Sequence, residues 1–168
     1  DFTTNASAEV RNALVNLKAQ GATQIVLDLR DNPGGLINEA VEIVNLFIPK
    51  GKEVVKTIGK LQQVNYTYKT TKTPLDREIA LVVLINERSA SAAEIVAGAL
   101  QDYDRAVLLG QKSFGKGLVQ TTLPLSFNAQ IKVTTAKYYI PSGRCIQAID
   151  YAKSREEGSA GTVPDSLR

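Results

Sequence analysis

Residues 79–94 read Ile-Ala-Leu-Val-Val-Leu-Ile-Asn-Glu-Arg-Ser-Ala-Ser-Ala-Ala-Glu and join two different patterns. The first seven residues form an apolar run rich in branched side chains, which predicts a buried strand. The residues from about Ala90 to Gln101 predict a helix. At such a corner a side chain stands on a rigid element, and the first helical N–H groups are free to bind an anion. The corner is therefore a suitable place for a catalytic nucleophile.

The segments on either side continue this alternation of strand and helix. Upstream, the apolar spacing predicts a helix, a short buried strand and a second helix, at 6–20, 25–29 and 36–48. Residues 52–75 alternate polar and apolar side chains, which is typical of one or two solvent-facing hairpins. Downstream, we expect a third buried strand, a glycine-rich loop and two antiparallel strands, at 106–109, 110–117, 119–125 and 131–140. This order indicates an α/β layered domain with a mixed sheet and flanking helices, and we expect the polar tail after Tyr151 to be loosely held.

The composition argues against several classes of protein. The 168 residues fit one domain, and 43% apolar with 22% charged residues is an ordinary globular mixture. No apolar run approaches the ~20 residues that span a bilayer. The net charge of +3 is not clustered, so a solvated surface explains it better than nucleic-acid binding does. Because the chain contains no Met, we expect it to be a piece of a longer protein.

The absence of His limits the chemistry further. It removes every Ser-His-Asp and Cys-His mechanism built within the chain, and it argues against a zinc site. The single cysteine, Cys145, cannot form an internal disulfide, and we interpret it as a packing residue. A serine nucleophile in this chain therefore needs a base other than His.

Two serines at the corner compete for the role of nucleophile. Ser91-Ala-Ala-Glu94 matches a capping box, which would make Ser91 a structural N-cap of the helix. Ser89 could equally be the cap and leave Ser91 free. On this segment alone, the structural interpretation of Ser91 is the safer one.

Lys116 is the candidate base. A lysine can activate a serine only when its amine is neutral, which requires apolar surroundings or nearby positive charge. Lys116 lies in the glycine-rich stretch 113–119, whereas most other lysines have polar neighbours.

Residues 110–117 also match the Gly-x-x-x-x-Gly-Lys spacing of a phosphate-binding loop. Gly117 stands where that loop needs Ser or Thr, and the next residues favour a strand over a helix, which argues against nucleotide binding.

A third segment, Leu-Asp-Leu-Arg-Asp-Asn-Pro-Gly-Gly at 27–35, predicts the end of a strand followed by a turn. Its glycines allow unusual backbone angles, which is a structural role. Alternatively, the bare N–H groups of the turn could approach a substrate carbonyl closely. Such a turn is weak support for a function by itself.

Taken together, these segments resemble the C-terminal processing (tail-specific) proteases, peptidase family S41. The family has Leu-Arg-x-Asn-x-Gly-Gly, Ser-Ala-Ser-x-x-Glu and Phe-Gly-Lys-Gly-x-x-Gln segments in that order. They match residues 29–35, 89–94 and 114–120, and residues 141–147 resemble the family's Gly-Arg-x-Ile-Gln region. Any one motif could arise by chance, but the ordered set is specific and covers nearly the whole chain.

The resemblance implies a serine endopeptidase that cleaves protein substrates near their C-terminus, on a ClpP/crotonase-like α/β fold and without a metal or cofactor. The implied nucleophile, general base and lysine-orienting amide are Ser91, Lys116 and Gln120. The oxyanion would be bound by the backbone N–H groups of Ala92 and of either Gly34 or Gly35, two glycines that the sequence does not separate.

The resemblance also bears on partners and location. Family members usually carry a PDZ domain before this core, which captures the substrate's free C-terminal tail. Residues 1–168 correspond to a single peptidase core that does not include this domain. In bacteria the family usually works outside the cytoplasm, so we expect the periplasm or cell envelope; homo-oligomerisation is left open.

Two other functions on this fold are the alternatives. A non-catalytic binding module would have lost the protease residues, whereas Ser91, Lys116 and Gln120 are all present. A crotonase-type acyl-CoA enzyme would need only the oxyanion hole, so the matched serine and lysine segments argue against it.

Overall fold

The computed structural model describes residues 1–148, which form three α-helices and seven strands. The helices are α1 (Ala6–Ala19), α2 (Ile37–Asn45) and α3 (Ala92–Asp102). The strands are β1 (Gln24–Asp28), β2 (Glu53–Gly59), β3 (Tyr66–Lys69), β4 (Ala80–Ile85), β5 (Val107–Gly110), β6 (Leu118–Pro124) and β7 (Gln130–Tyr139). In this part of the chain no helix has the length and apolar character needed to cross a membrane. The tail after Tyr151 lies outside the described residues.

The strands form two sheets. One is parallel in the order β1-β4-β5, and its register places Val26 opposite Val82 and Val82 opposite Val107. The other is antiparallel in the order β3-β2-β7-β6. The α/β architecture predicted from the sequence is thus confirmed, and parallel and antiparallel strands lie in separate sheets.

The core lies where α2 and α3 pack on each other, on β2 and on one face of the parallel sheet. Ile43, Val54, Val83 and Leu100 are completely buried. Each buried side chain of this size stabilises the fold by roughly 1.5–3 kcal/mol relative to exposure. This packing fixes the end of β4 and the start of α3, where the candidate nucleophile stands.

The other face of the parallel sheet differs from the prediction. The apolar runs predict buried strands, but Val26, Val107 and Leu109 are 62%, 59% and 51% exposed. Within residues 1–148 the helices pack against the opposite face, where Leu81 and Val83 are buried. The prediction of fully buried strands was therefore wrong for β1 and β5.

Two helix ends also differ from the prediction. α2 ends at Asn45 and not at residue 48, and the Leu46 carbonyl accepts the N–H groups of Leu75 (2.8 Å) and Asp76 (3.0 Å). α3 begins at Ala92, two residues later than expected, because Ser91 has a positive φ of 54°. A residue with that φ cannot continue a right-handed helix.

Candidate active site

Hydrogen bonds bring together the three segments that the sequence singles out. The hydroxyl of Ser89 is buried and donates to the carbonyl of Leu29 at 2.7 Å. The Ala90 N–H donates to the Asn32 carbonyl at 2.9 Å, and the Phe114 N–H donates to the Ser89 carbonyl at 3.0 Å. The turn after β1, the corner after β4 and the glycine-rich loop are therefore held as one unit.

The structure gives the two serines different roles. Ser89 is structural, since its Oγ also accepts the Asn86 N–H at 3.0 Å. Only the carboxylate half of the predicted capping box is formed, in which the Ser91 N–H donates to Glu94 Oε2 at 2.8 Å. In the other direction, the Glu94 N–H donates to the Ser91 carbonyl at 2.9 Å, and no side-chain cap hydrogen bond is formed. The Ser91 hydroxyl is thus not committed to capping α3.

The backbone of Ser91 is strained. Its φ of 54° and ψ of −118° lie in a region that a residue with a Cβ atom rarely adopts. A sharp, strained turn between a strand and a helix is also how α/β-hydrolases expose their nucleophilic serine. The strain at Ser91 therefore coincides with the one position in this corner where a nucleophile would stand.

Glu94 links the candidate nucleophile to the candidate base. The residue is only 6% exposed, and its carboxylate accepts three backbone hydrogen bonds. The donors are the N–H groups of Ser91 (2.8 Å), Gly115 (2.7 Å) and Lys116 (2.9 Å). The Ser91 and Lys116 donors share one oxygen, Oε2, so the two backbones lie side by side. From the sequence, Glu94 was identified only as a capping and motif residue, because its bonds to the glycine-rich loop are long-range.

The two candidate glycines differ in the state of their N–H groups. The Gly34 N–H donates to Asn32 Oδ1 at 2.9 Å. Within residues 1–148 the N–H groups of Gly35 and Ala92 have no hydrogen-bond partner. Gly34 lies against the nucleophile, since a Cβ atom there would be 2.7 Å from Ala92 N and 2.9 Å from Ser91 Cβ. The free Ala92 N–H is thus next to Ser91 in the chain, and the free Gly35 N–H directly follows the glycine that contacts Ser91.

Lys116 and Gln120 are placed at the start of the antiparallel sheet. Lys116 follows the buried Gly115, and Gln120 lies in β6 beside a bulge in the β6–β7 pairing. Both residues are exposed. The apolar pocket expected around Lys116 is thus not formed by residues 1–148 alone.

A cavity of about 430 Å³ lies on the other side of the glycine-rich loop. It is lined by α3 residues Ala97 and Gly98, by Leu108, and by residues of the segment 140–148. None of Ser91, Lys116 or Gly35 lines it, so the candidate chemistry lies at the surface and not in this cavity.

An ion pair stands at the end of β1, beside the turn. Arg30 donates to Asp28 through Nε at 2.9 Å and through Nη2 at 2.6 Å. These hydrogen bonds lower the pKa of Asp28 to about 2. Both side chains are about half exposed, so the ion pair contributes little to the stability of the fold.

Comparison with known proteins gives a consistent result. The sequence profile of Peptidase family S41 matches residues 1–155. The chain is 44% identical over 152 residues to a carboxy-terminal-processing protease of Bartonella bacilliformis, covering 88% of this chain and 35% of that protein. It is 45% identical over 140 residues to a carboxyl-terminal-processing protease of Picosynechococcus, covering 83% and 33%.

A solved structure agrees with these relatives. The photosystem II D1 C-terminal processing protease superposes with a TM-score of 0.79 at 34% identity, over 98% of this chain and 39% of that one. The chain thus spans about a third of the length of the relatives it matches.

Proposed function

Because this chain belongs to peptidase family S41, we propose that it forms the catalytic core of a serine endopeptidase that cleaves protein substrates near their C-terminus. In this proposal Ser91 is the nucleophile, Lys116 is the general base and Gln120 orients the lysine amine. Gly35 and Ala92 provide the oxyanion N–H groups.

The shared contact of Glu94 is the observation that carries the proposal. One buried carboxylate oxygen accepts the N–H of Ser91 at 2.8 Å and that of Lys116 at 2.9 Å. A nucleophile and a base must be held in a fixed relation for proton transfer between them. The carboxylate provides that relation through the two backbones, while both side chains are left for chemistry.

The proposed reaction is an acyl transfer through Ser91. The neutral amine of Lys116 takes the proton of the Ser91 hydroxyl as the oxygen attacks a peptide carbonyl. The carbonyl oxygen, now negative, accepts hydrogen bonds from the N–H groups of Ala92 and Gly35. Lys116 then gives the proton to the leaving amine, and a water molecule hydrolyses the acyl-enzyme by the same route.

The choice of Gly35 over Gly34 rests on the hydrogen bonds of the turn. Asn32 already holds the Gly34 N–H at 2.9 Å, whereas the Gly35 N–H is unpaired within residues 1–148. The α3 N-terminus adds positive potential at the same place, because Ala92 is the first residue of that helix.

Lys116 is exposed in this chain, whereas a lysine that acts as a general base needs surroundings from which water is excluded. A polypeptide bound across the site would exclude water from it. We include a PDZ domain of the same protein as the partner that delivers the substrate's C-terminal tail. The proposed location is outside the cytoplasm, in the periplasm or cell envelope.

The proposal is tested by incubating the full-length protein with an unstructured protein that ends in apolar residues, and following cleavage by mass spectrometry. We expect cleavage near the C-terminus that is lost in both Ser91→Ala and Lys116→Ala. Lys60→Ala, which removes an exposed lysine of another loop, is the matched control and is expected to cleave like the wild type.

Circular dichroism on each variant verifies that loss of cleavage is not loss of folding. Full cleavage by a folded Lys116→Ala variant would exclude the Ser-Lys mechanism. A folded wild type that binds the substrate but does not cleave it would instead favour a non-catalytic binding module.

A further inference from the structure

Residues 145–148, named the strap here, run along the back of the glycine-rich loop. A tight turn after β7 brings the chain back, with the Ile140 N–H donating to the Arg144 carbonyl at 3.1 Å. The Ile146 N–H then donates to the Tyr138 carbonyl at 3.2 Å. The strap is thus attached to the end of the antiparallel sheet.

The strap touches the glycine-rich loop on both sides of Lys116. The Ala148 N–H donates to the Gly115 carbonyl at 3.1 Å. A Cβ atom at Gly115 would lie 2.2 Å from Ala148 Cβ, and one at Gly117 would lie 2.3 Å from Gln147 N. The strap can therefore pass this closely only because both residues that flank the candidate base are glycines.

Gln147 provides the side-chain contact of the strap. Its Oε1 accepts the Gly117 N–H at 2.8 Å. Glu94 accepts the N–H groups of the two preceding residues, Gly115 and Lys116. Three consecutive N–H groups of the loop are thus bound by two side chains, Glu94 from α3 and Gln147 from the strap.

The Gly117 contact sets the orientation of the peptide group that joins Lys116 to Gly117. Its N–H is held by Gln147, while the following carbonyl, that of Gly117, accepts the Tyr138 N–H at 2.8 Å. If the Gly117 N–H lost its acceptor, the backbone at Lys116 would be held only by Glu94 on its N-terminal side, and the lysine side chain would no longer start from a fixed position.

We propose that Gln147 is a positioning residue, which aims the Lys116 amine at Ser91 by fixing the Lys116–Gly117 peptide. This inference rests on the proposed role of Lys116 as general base. Gln147 acts through the loop backbone, so it changes the rate of proton transfer and leaves substrate affinity unchanged.

The test uses the full-length protein and compares Gln147→Ala, Gln147→Glu and, as a matched control on the surface, Gln62→Ala. Two readouts are needed: kcat and KM for a peptide substrate across pH, and the rate at which a fluorophosphonate labels Ser91. The second readout reports activation of the serine without dependence on peptide binding. The measurements are made below the unfolding temperature of each variant.

We expect Gln147→Ala to lower kcat and the labelling rate by ~10–100-fold with KM unchanged, since a misplacement of about 1 Å costs on the order of 100-fold. Gln147→Glu keeps an acceptor for the Gly117 N–H, so it should restore most of the rate. Its negative charge beside the glycine-rich loop should move the pH–rate profile to higher pH. Gln62→Ala should match the wild type.

Three results would overturn the inference. The first is a folded Gln147→Ala variant with wild-type kcat and labelling, while Ser91→Ala and Lys116→Ala are inactive. The second is equal impairment of Gln147→Ala and Gln147→Glu with an unshifted pH profile, which indicates a packing role only. The third is cleavage that persists in Ser91→Ala, which would remove the proposed function and this inference with it.

Discussion

Ser91 has the backbone conformation that sets it apart from its neighbour Ser89. Ser89 is fully buried, and its hydroxyl donates to the Leu29 carbonyl and accepts the Asn86 N–H. Ser91 has φ 54° and ψ −118° and is only half-buried. A conformation of this kind costs about 1–3 kcal/mol in a residue that has a Cβ atom. Ser89 therefore stabilises the corner, whereas the surrounding structure holds Ser91 in an unfavourable backbone conformation.

The strain at Ser91 predicts that two inactive variants, Ser91→Gly and Ser91→Ala, differ in their free energy of unfolding. Ser91→Gly removes the Cβ atom and with it the strain, while the more flexible unfolded chain costs about 0.4–1 kcal/mol. We therefore expect Ser91→Gly to unfold with a free energy about 1–2 kcal/mol higher than that of Ser91→Ala. Urea denaturation of both variants measures the difference. Equal stabilities, or a less stable glycine variant, would mean that the backbone at this position is not strained.

The outer part of the β6–β7 hairpin has little tertiary support within residues 1–148. All residues from 120 to 134 are exposed, and Phe127 at the tip is 101% exposed with a positive φ of 60°. Leu123 and Ile131 face each other across the two strands. The outer part of the hairpin is therefore held by its own ladder and not by the core.

This lack of burial predicts that the hairpin can be shortened. Residues 124–130 are replaced by Asn-Gly, which connects Leu123 to Ile131 by a tight two-residue turn. Because only exposed residues are removed, we expect the free energy of unfolding to change by less than ~1 kcal/mol. Denaturant unfolding provides the measurement. A loss above about 2 kcal/mol would show that the tip makes stabilising contacts.

At the scale of the whole molecule, Asp76 connects elements that are distant in the sequence. Its carboxylate is bound by Lys18 of α1 and by the N–H groups of Glu78 and Ile79, each at 2.8 Å, just before β4. The Lys18 hydrogen bond and these N–H groups lower the pKa of Asp76 to about 2. Asp28 has a similar pKa, but its partner Arg30 is two residues away, a local contact that the unfolded chain can retain.

These pKa values predict how stability depends on pH. A carboxyl whose pKa is lower in the folded state adds stability above its unfolded pKa of 3.8, and this stability is lost as the pH falls toward about 2. We expect Asp76→Asn to be less stable than the wild type at pH 7, and the difference to disappear near pH 2. Thermal unfolding between pH 2 and 7 measures it.

Asp28→Asn is the matched control for this series, and it should show a smaller difference because its ion pair is local. A difference between Asp76→Asn and the wild type that is constant with pH would mean that ionisation of Asp76 does not contribute to folding.

The sequence by itself determined the order and type of the elements. Strand and helix are specified by local spacing of apolar residues, so α1 and β4 are present where their patterns predict them. Two features could not be predicted this way. The exposure of the outer faces of β1 and β5 was one, because an apolar run does not specify which element packs on it. The start of α3 at Ala92 was the other, because the strained conformation of Ser91 is imposed by the surrounding fold.

The candidate residues were also present in the sequence, as three ordered motifs, but their relations were decided only by the tertiary structure. Which serine is structural depends on a hydrogen bond between residues 60 positions apart, from Ser89 to Leu29. The link between Ser91 and Lys116 depends on Glu94, which binds the loop 21 and 22 positions later. The Gln147 contact with Gly117 spans 30 positions. Local patterns carry no information on such distances, because they arise only when packing brings the segments together.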